Sequence, residues 1–222
     1  MTTILAFQQF SDVSVIERVL EGETSLYEVL IRRYNPYLYK IGMSYGFRHE
    51  DVEDLMQEAF ISAYQSLEKF ENRSTFKTWL IKIMLNECFH KSQKQSSFRE
   101  IAVETFHDKN TPMFSRSSGR DTERVITNRE LQSLIEKAIL KIPIDYRVVF
   151  SLREMNGLSV NETAHTLNIT PTNVKVRLNR AKAMLRRELE KMYSPEEIFQ
   201  FNLVYCDKIV VNVLRRIKNG QP

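Results

Sequence analysis

The chain of 222 residues has two cysteines, one tryptophan, six glycines and six prolines. Cys88 and Cys206 stand far apart, without metal-ligand spacing. Neither a disulfide framework nor a zinc site is expected, and a reducing cytoplasm is the implied location. Few glycines and prolines and no strongly alternating runs argue against a β-rich fold and for helices with short connections. No apolar run approaches the roughly 20 residues of a membrane span. The opening MTTILAFQQFSD lacks the basic stretch and apolar core of a secretory signal, so no direct membrane insertion is expected. His49, His90, His107 and His165 are dispersed, and HExxH, Gly-rich phosphate loop, GxSxG and CxxC patterns are all missing. No catalytic residue, metal or cofactor is indicated, and the chain reads as a non-enzyme.

What is present is helical periodicity, organised around residues 51–91. In the expected helix over 52–69, Val52, Leu55, Met56, Ala59, Phe60, Ala63 and Leu67 share one side and make a core stripe. The opposite side carries Asp54, Gln57, Glu58, Ile61, Gln65 and Glu68. Asp54 and Glu58 repel by a few tenths of a kcal/mol at this spacing, and Ile61 sits among them with no apolar neighbour. That face suits a basic partner; a solvated face with one stray isoleucine is the plainer alternative. A second helix follows the polar turn Glu71 to Thr75, with Ser74 or Thr75 as cap. Phe76, Trp79, Leu80, Ile83 and Met84 form its core stripe. Thr78, Lys82 and Asn86 follow one exposed edge, with His90 and Lys91 beyond. Cation and amide together suit a nucleic-acid strand, phosphate to lysine and base edge to asparagine, although most lysine-bearing faces are merely solvated.

Upstream, residues 11–46 read as two short helices, the first capped at Ser11-Asp12 and stopped by Gly22, the second broken or kinked at Pro36. An all-α chain in four parts is expected. A helical domain over 11–92 precedes a Ser-, Lys- and Thr-rich linker over 93–122. A second helical domain over 123–192 is followed by a helical extension over 193–222. In the second domain, Ile126, Leu131, Leu134, Ile135 and Ala138 share a face. Ile142-Pro143 interrupts, Val148, Phe150, Leu152 and Met155 continue, and Gly157 stops the run.

Ser159-Val160-Asn161-Glu162 is then a capping box. A short helix ends at Asn168, which tolerates a left-handed backbone. Thr170 caps the next helix with Pro171 in its first position. Val174, Leu178, Ala181 and Leu185 face inward. Thr172, Asn173, Val176, Asn179, Arg180, Ala183 and Arg187 face out, with Lys175, Arg177, Lys182 and Arg186 on the flanks. Capping box, short helix, tight turn and basic second helix describe a helix-turn-helix for the major groove. An ordinary helical hairpin with a basic face is the alternative. The net charge of +4 is compatible with nucleic acid. In the tail, Ser194-Pro195-Glu196-Glu197 is a helix start, and Ile209, Val210, Val213, Leu214 and Ile217 share a face that would pack on the second domain or bind a partner.

At these residues the chain resembles the extracytoplasmic-function sigma factors of the sigma-70 family. DVEDLMQEAFISAYQSLEKF is similar to that family's regions 2.1–2.2, FKTWLIKIMLNECFHK to its regions 2.3–2.4, and the segment from Leu140 to Leu189 to its region 4. The resemblance implies a promoter-specificity subunit of bacterial RNA polymerase. Asp54, Gln57, Glu58 and Ile61 would dock on core polymerase, through the β′ clamp and the β subunit. Asn72, Arg73, Ser74, Thr78, Lys82, Asn86 and His90 would capture the −10 strand of promoter DNA. Thr172, Asn173, Lys175, Val176, Arg177, Asn179 and Arg180 would read the −35 duplex. An anti-sigma factor is a further implied partner. Asn168 stands where the family often has glycine, and His90-Lys91-Ser92-Gln93-Lys94 where it commonly has arginines. A free-standing helix-turn-helix regulator and a polymerase- or sigma-binding interaction protein are the competing readings.

Overall fold

The computed structural model describes residues 10–99, 122–192 and 204–218, and every regular element among them is helical. Ser11 opens α1 (Asp12–Leu20), its hydroxyl accepting from the Ser14 amide at 3.2 Å. Gly22, at φ 109°, turns the chain out of it. A 3₁₀ turn at Thr24–Leu26 leads into α2 (Tyr27–Ser44). Of the break or kink expected at Pro36, the break does not occur: Pro36 lies inside one helix. An interior proline forgoes one hydrogen bond, but Leu30, Tyr34, Leu38 and Ile41 are buried on both sides of it and hold one helix together.

α3 (His49–Gln65) begins earlier than expected, with Glu50 and Asp51 in its first turn where they complement the helix dipole. Its end tightens into a 3₁₀ turn at Leu67–Lys69. α4 (Phe76–Arg99) is capped by Thr75, whose Oγ1 accepts from the Thr78 amide at 3.2 Å. Residues 93–99, expected as linker, continue this helix. They are rich in straight-chain helix formers, and Lys91 ties the helix to α3 through Asp51 at 2.5 Å. The remainder of the expected linker, 100–121, lies outside the described residues.

Helices α1 to α4 close around one large core in which Leu30, Leu38, Ile41, Val52, Ala59, Leu80 and Met84 are fully buried. Gly42 lets α2 and α3 approach: a Cβ there would lie 2.6 Å from Val52 Cγ1. The Tyr27 hydroxyl donates to the Phe60 carbonyl at 2.8 Å, satisfying a polar group inside the packed layer.

The following segment comprises α5 (Thr122–Leu140), α6 (Ile144–Phe150), a π turn at Ser151–Met155, α7 (Val160–Leu167) and α8 (Pro171–Met192). Leu131, expected on a buried face, is 46 % exposed, and from Leu131 to Leu140 the one buried residue of α5 is Ala138. Val149, Ala164 and Val174 make a small second core, with Val160, Leu167, Ile169 and Leu178 partly buried around it. Val148, Leu152 and Leu158 instead join the first core. The chain divides into two compact units, Met1–Leu185 and Arg186–Pro222. The second unit contains the end of α8 and α9 (Val204–Lys218), on which Ile209, Val210, Val213, Leu214 and Ile217 are exposed. The helix start expected at Ser194 to Glu197 lies outside the described residues. No helix among the described residues is long and apolar enough to cross a membrane.

Candidate functional site

On α3 the expected core stripe is buried from Val52 to Ala63, which turns the other face outward. Asp54, Gln57 and Glu58 are exposed there, and Ile61 is 50 % exposed. An acidic strip with an accessible aliphatic centre can hold a cationic surface and bury one apolar side chain against it.

The neighbouring α4 presents a different chemistry. Lys82, Asn86 and His90 are exposed at successive turns of one edge, as expected. Phe89, which the sequence reading passed over, is 54 % exposed on the same face, its ring 6.1 Å from that of His90. An exposed phenylalanine seven positions beyond a lysine was a legible signal. Before the helix, Asn72 takes a left-handed conformation at φ 55°. This bends the Glu71-to-Thr75 loop outward, with Arg73 and Glu71 paired at 2.5 Å and Ser74 exposed.

Thr78 departs from expectation. The periodicity of α4 places it on the exposed edge, yet it is 5 % exposed. Its hydroxyl donates to Glu162 Oε1 at 3.0 Å, so α7 covers it. Periodicity within α4 could not show this, because the covering residue is 84 positions away. Lys77 beside it donates to the Asn156 carbonyl and lies 4.2 Å from the centre of the Tyr37 ring. Burial lowers the Lys77 pKa from its ordinary value.

The helix-turn-helix is built by local hydrogen bonds. The Ser159 hydroxyl accepts from the Glu162 amide at 3.1 Å, and Glu162 Oε2 accepts from the Ser159 amide at 2.7 Å. Hydrogen bonds from Ser159, side chain first, hold the Glu162 carboxyl below the usual carboxylate range, and the Thr78 hydroxyl acts in the same direction. Asn168 sits at φ 52°, and Thr170 Oγ1 accepts from the Asn173 amide at 3.2 Å. These caps aim the first turns of α8 outward, with Thr172, Lys175, Val176, Asn179 and Arg180 exposed. Arg177 and Asn173 are half-buried and tied together, Arg177 Nε donating to Asn173 Oδ1 at 3.1 Å. Arg180 Nη1 reaches the Tyr146 hydroxyl at 3.3 Å. Val174 and Ala181 are the buried residues of the opposite face.

Arg147 is another residue the sequence reading missed. It is buried in α6, and its guanidinium donates to the carbonyls of Ser44, Leu140 (2.5 Å) and Tyr45 (3.3 Å). Burial lowers its pKa, and it has no carboxylate partner among the described residues. Cys88 is buried and its thiol is pushed up to about 12, which leaves it an inert packing group.

Comparison with known proteins matches two segments of the chain to one family. Residues 30–98 match the family model for sigma-70 region 2, and residues 132–185 that for sigma-70 region 4. The ECF RNA polymerase sigma factor SigW of Bacillus subtilis is 28% identical over 179 residues, covering 80% of this chain and 96% of that protein. The ECF RNA polymerase sigma-E factor of Escherichia coli K12 is 28% identical over 189 residues, covering 83% of this chain and 97% of that protein. The fold is shared with CnrH, solved in complex with the cytosolic domain of CnrY. That match has a TM-score of 0.58 at 22% identity, covering 82% of this chain and 99% of that one. It is also shared with the sigma factor RpoE of Bartonella quintana, solved with the anti-sigma factor NepR, at a TM-score of 0.56 and 22% identity over 70% of this chain and 91% of that one. With both region models matched in order on one all-helical chain, this protein belongs to the sigma-70 family, as an extracytoplasmic-function sigma factor that directs transcription initiation.

Proposed function

We propose that this sigma factor brings core RNA polymerase to its promoters in the cytoplasm through three surfaces of its own chain. Asp54, Gln57, Glu58 and Ile61 dock on a basic surface of the polymerase, at the β′ clamp, with further contacts to the β subunit. The loop from Asn72 to Ser74 and the edge of Lys82, Asn86 and His90 hold the −10 strand once it opens, with Thr78 joining when uncovered. Extruding a base costs a few kcal/mol of unstacking. Hydrogen bonds to the Asn86 amide and phosphate contacts to Lys82 offset that without ATP. The exposed Phe89 ring adds a stacking surface beside them. At the −35 element, Thr172, Asn173, Lys175, Val176, Arg177, Asn179 and Arg180 enter the major groove as duplex readers, with Val176 suited to a thymine methyl group.

The observation that carries this reading is that the exposed acidic residues of α3 and the exposed Lys82–Asn86 edge of α4 stand on two helices packed in one core. Gripping the enzyme there fixes the strand-capturing edge relative to it. The Bartonella RpoE structure holds the anti-sigma factor NepR, which supports an anti-sigma factor as a regulatory partner here.

Run-off transcription by core polymerase plus this protein tests the proposal, on promoters found by mapping transcript starts after overexpression. Specific transcripts are expected, and their absence across genomic fragments would overturn it. Replacing both Asp54 and Glu58 by lysine sets like charges against the polymerase, which costs several kcal/mol and should abolish co-migration with core enzyme. Tight polymerase-independent binding to a palindrome would instead indicate a free-standing regulator.

A further inference from the structure

Helix α9 (Val204–Lys218) takes no part in the three proposed surfaces, yet it is sharply two-sided. At about 100° per residue, Ile209, Val210, Val213, Leu214 and Ile217 fall within an arc of about 140°. Each is between 47 % and 67 % exposed. A stripe of this kind turned to a core is buried, as that of α3 is. Val211 is the one exposed apolar residue of α9 outside the arc. The remaining positions are mostly basic. Lys208, Arg215, Arg216 and Lys218 stand outside the arc, against one carboxylate, Asp207, in the first turn. By position Arg216 borders one edge of the arc, Lys218 lies beyond the other, and the exposed Arg215 stands on the polar side. The whole chain carries +4 over 222 residues, so this helix of 15 holds a large share of the excess of cations.

Three kinds of surface can cover such a face, and charge and shape separate them. A second copy would set the cations of one helix beside those of the other, and like charges across an interface oppose pairing. The stripe is also wider than the narrow seam of a helix pair. A shaped protein groove is held mostly by aromatic anchors, whereas this arc exposes Val, Ile and Leu. A bilayer needs no shaped anchor. It takes apolar area on one side of a helix and, where its headgroups are anionic, cations on the other. At 1.5 Å per residue α9 is roughly 22 Å long, short of the roughly 30 Å hydrocarbon layer, so it suits lying in the surface and not crossing it. We infer that α9 is an interfacial helix that adsorbs the chain on an anionic phospholipid surface, with Ile209, Val210, Val213, Leu214 and Ile217 at the acyl boundary and the arginines and lysines at the headgroup phosphates. The long stems of arginine and lysine run along apolar surface and carry their charge up to the headgroups. Adsorption of one such helix is reversible, so lipid and polymerase can hold the same chain in turn. The inference stands apart from the promoter reading and adds a second kind of partner to it.

Co-sedimentation of the full chain with vesicles tests this. Binding is expected to a phosphatidylcholine and phosphatidylglycerol mixture of about two to one, and not to phosphatidylcholine alone. Raising salt from about 0.1 M to about 1 M should weaken it. Arg215→Gln with Arg216→Gln removes two cations at about fivefold each, so partitioning should fall roughly thirtyfold. Val213→Gln with Ile217→Gln keeps every charge and should lower it at least about tenfold. Run-off transcription without vesicles should be unchanged in both variants. The arginine pair removes little apolar area and keeps the test decisive if the apolar pair fails to fold. Equal binding to neutral vesicles, or none to anionic ones, overturns the inference. So does binding that survives the apolar pair, which would mark plain attraction of cations to a polyanion. Lys175→Gln with Arg180→Gln, on the −35 face, should leave vesicle binding unchanged, and a loss equal to that of the arginine pair would assign the lipid contact to the helix-turn-helix instead. A dimer in solution that the apolar pair dissolves would assign the face to a second copy. Loss of vesicle-free transcription in either α9 variant would assign it to the polymerase. Failure of the wild type to transcribe strikes the promoter reading and leaves the lipid surface standing.

Discussion

Two helices of this chain face promoter DNA in the proposed scheme, α4 and α8, and they rest on cores of different size. α4 buries Phe76, Leu80, Ile81, Met84, Leu85 and Cys88 among residues of α1 to α3. α8 buries Val174 and Ala181, and the core it shares with α6 and α7 has three buried residues. The first helix is placed by volume-filling contacts from distant parts of the chain. The second is placed by short-range hydrogen bonds, from the Ser159/Glu162 box through Asn168 to the Thr170 cap. A strand-capturing edge must hold its geometry while a base is pulled from its stack. A major-groove helix is offered to an intact duplex, which helps to orient it.

The comparison is broken most readily by truncating each core. Leu80→Ala should cost about 2–5 kcal/mol, whereas Val174→Ala removes less buried apolar volume and should cost about 2 kcal/mol. Urea unfolding of the two variants measures the difference, and equal losses would mean that the cores are not unequal in strength. The two helices should also fail at different steps. Asn86→Ala and Arg180→Ala each remove a polar base contact worth about 1–3 kcal/mol. Loss at Asn86 should lower permanganate reactivity of the opened strand with duplex −35 binding retained. Loss at Arg180 should weaken binding of the closed duplex. The same defect from both changes would erase the proposed division of labour.

That division also explains what the sequence made legible. Features that depend on neighbours within one turn were readable: the Ser159/Glu162 box, the left-handed Asn168, the Thr170 cap and the buried stripe of α3. Each is a local pattern with a local cause. Thr78, Arg147 and Lys77 were misread or missed because their partners lie 84, 102 to 103 and 79 residues away. Helical periodicity sorts the faces of one helix and carries no information about which distant helix will cover a face. Pro36 shows the same limit from the other side. A strong local breaker was outweighed by burial on both flanks.

If α7 and α8 depend on caps, Ser159→Ala should cost about 1 kcal/mol. The loss should appear as a lower unfolding midpoint together with faster amide exchange at Glu162 and Thr163. No change in either would shift the support of this half from its caps to its docking on the first core.

The smallest expected effect concerns acid, and it ties the two halves together through one carboxylate. Hydrogen bonds from Ser159 and Thr78 lower the Glu162 pKa in the folded chain. A carboxyl depressed in this way contributes stability that is fully present above its unfolded value of about 4.3, and that contribution fades as pH falls through the lower folded value. The capping box and the Thr78 contact should therefore weaken together only in strong acid and stay intact at neutral pH. Glu162→Gln keeps a hydrogen-bonding side chain at the third position of α7 and removes the titration. Between pH 5 and pH 3 the wild type should lose more thermal stability than this variant, whereas above pH 5 the wild type should keep its full advantage and the two profiles should run parallel. Parallel acid profiles would mean that the carboxylate contributes no more than a neutral amide.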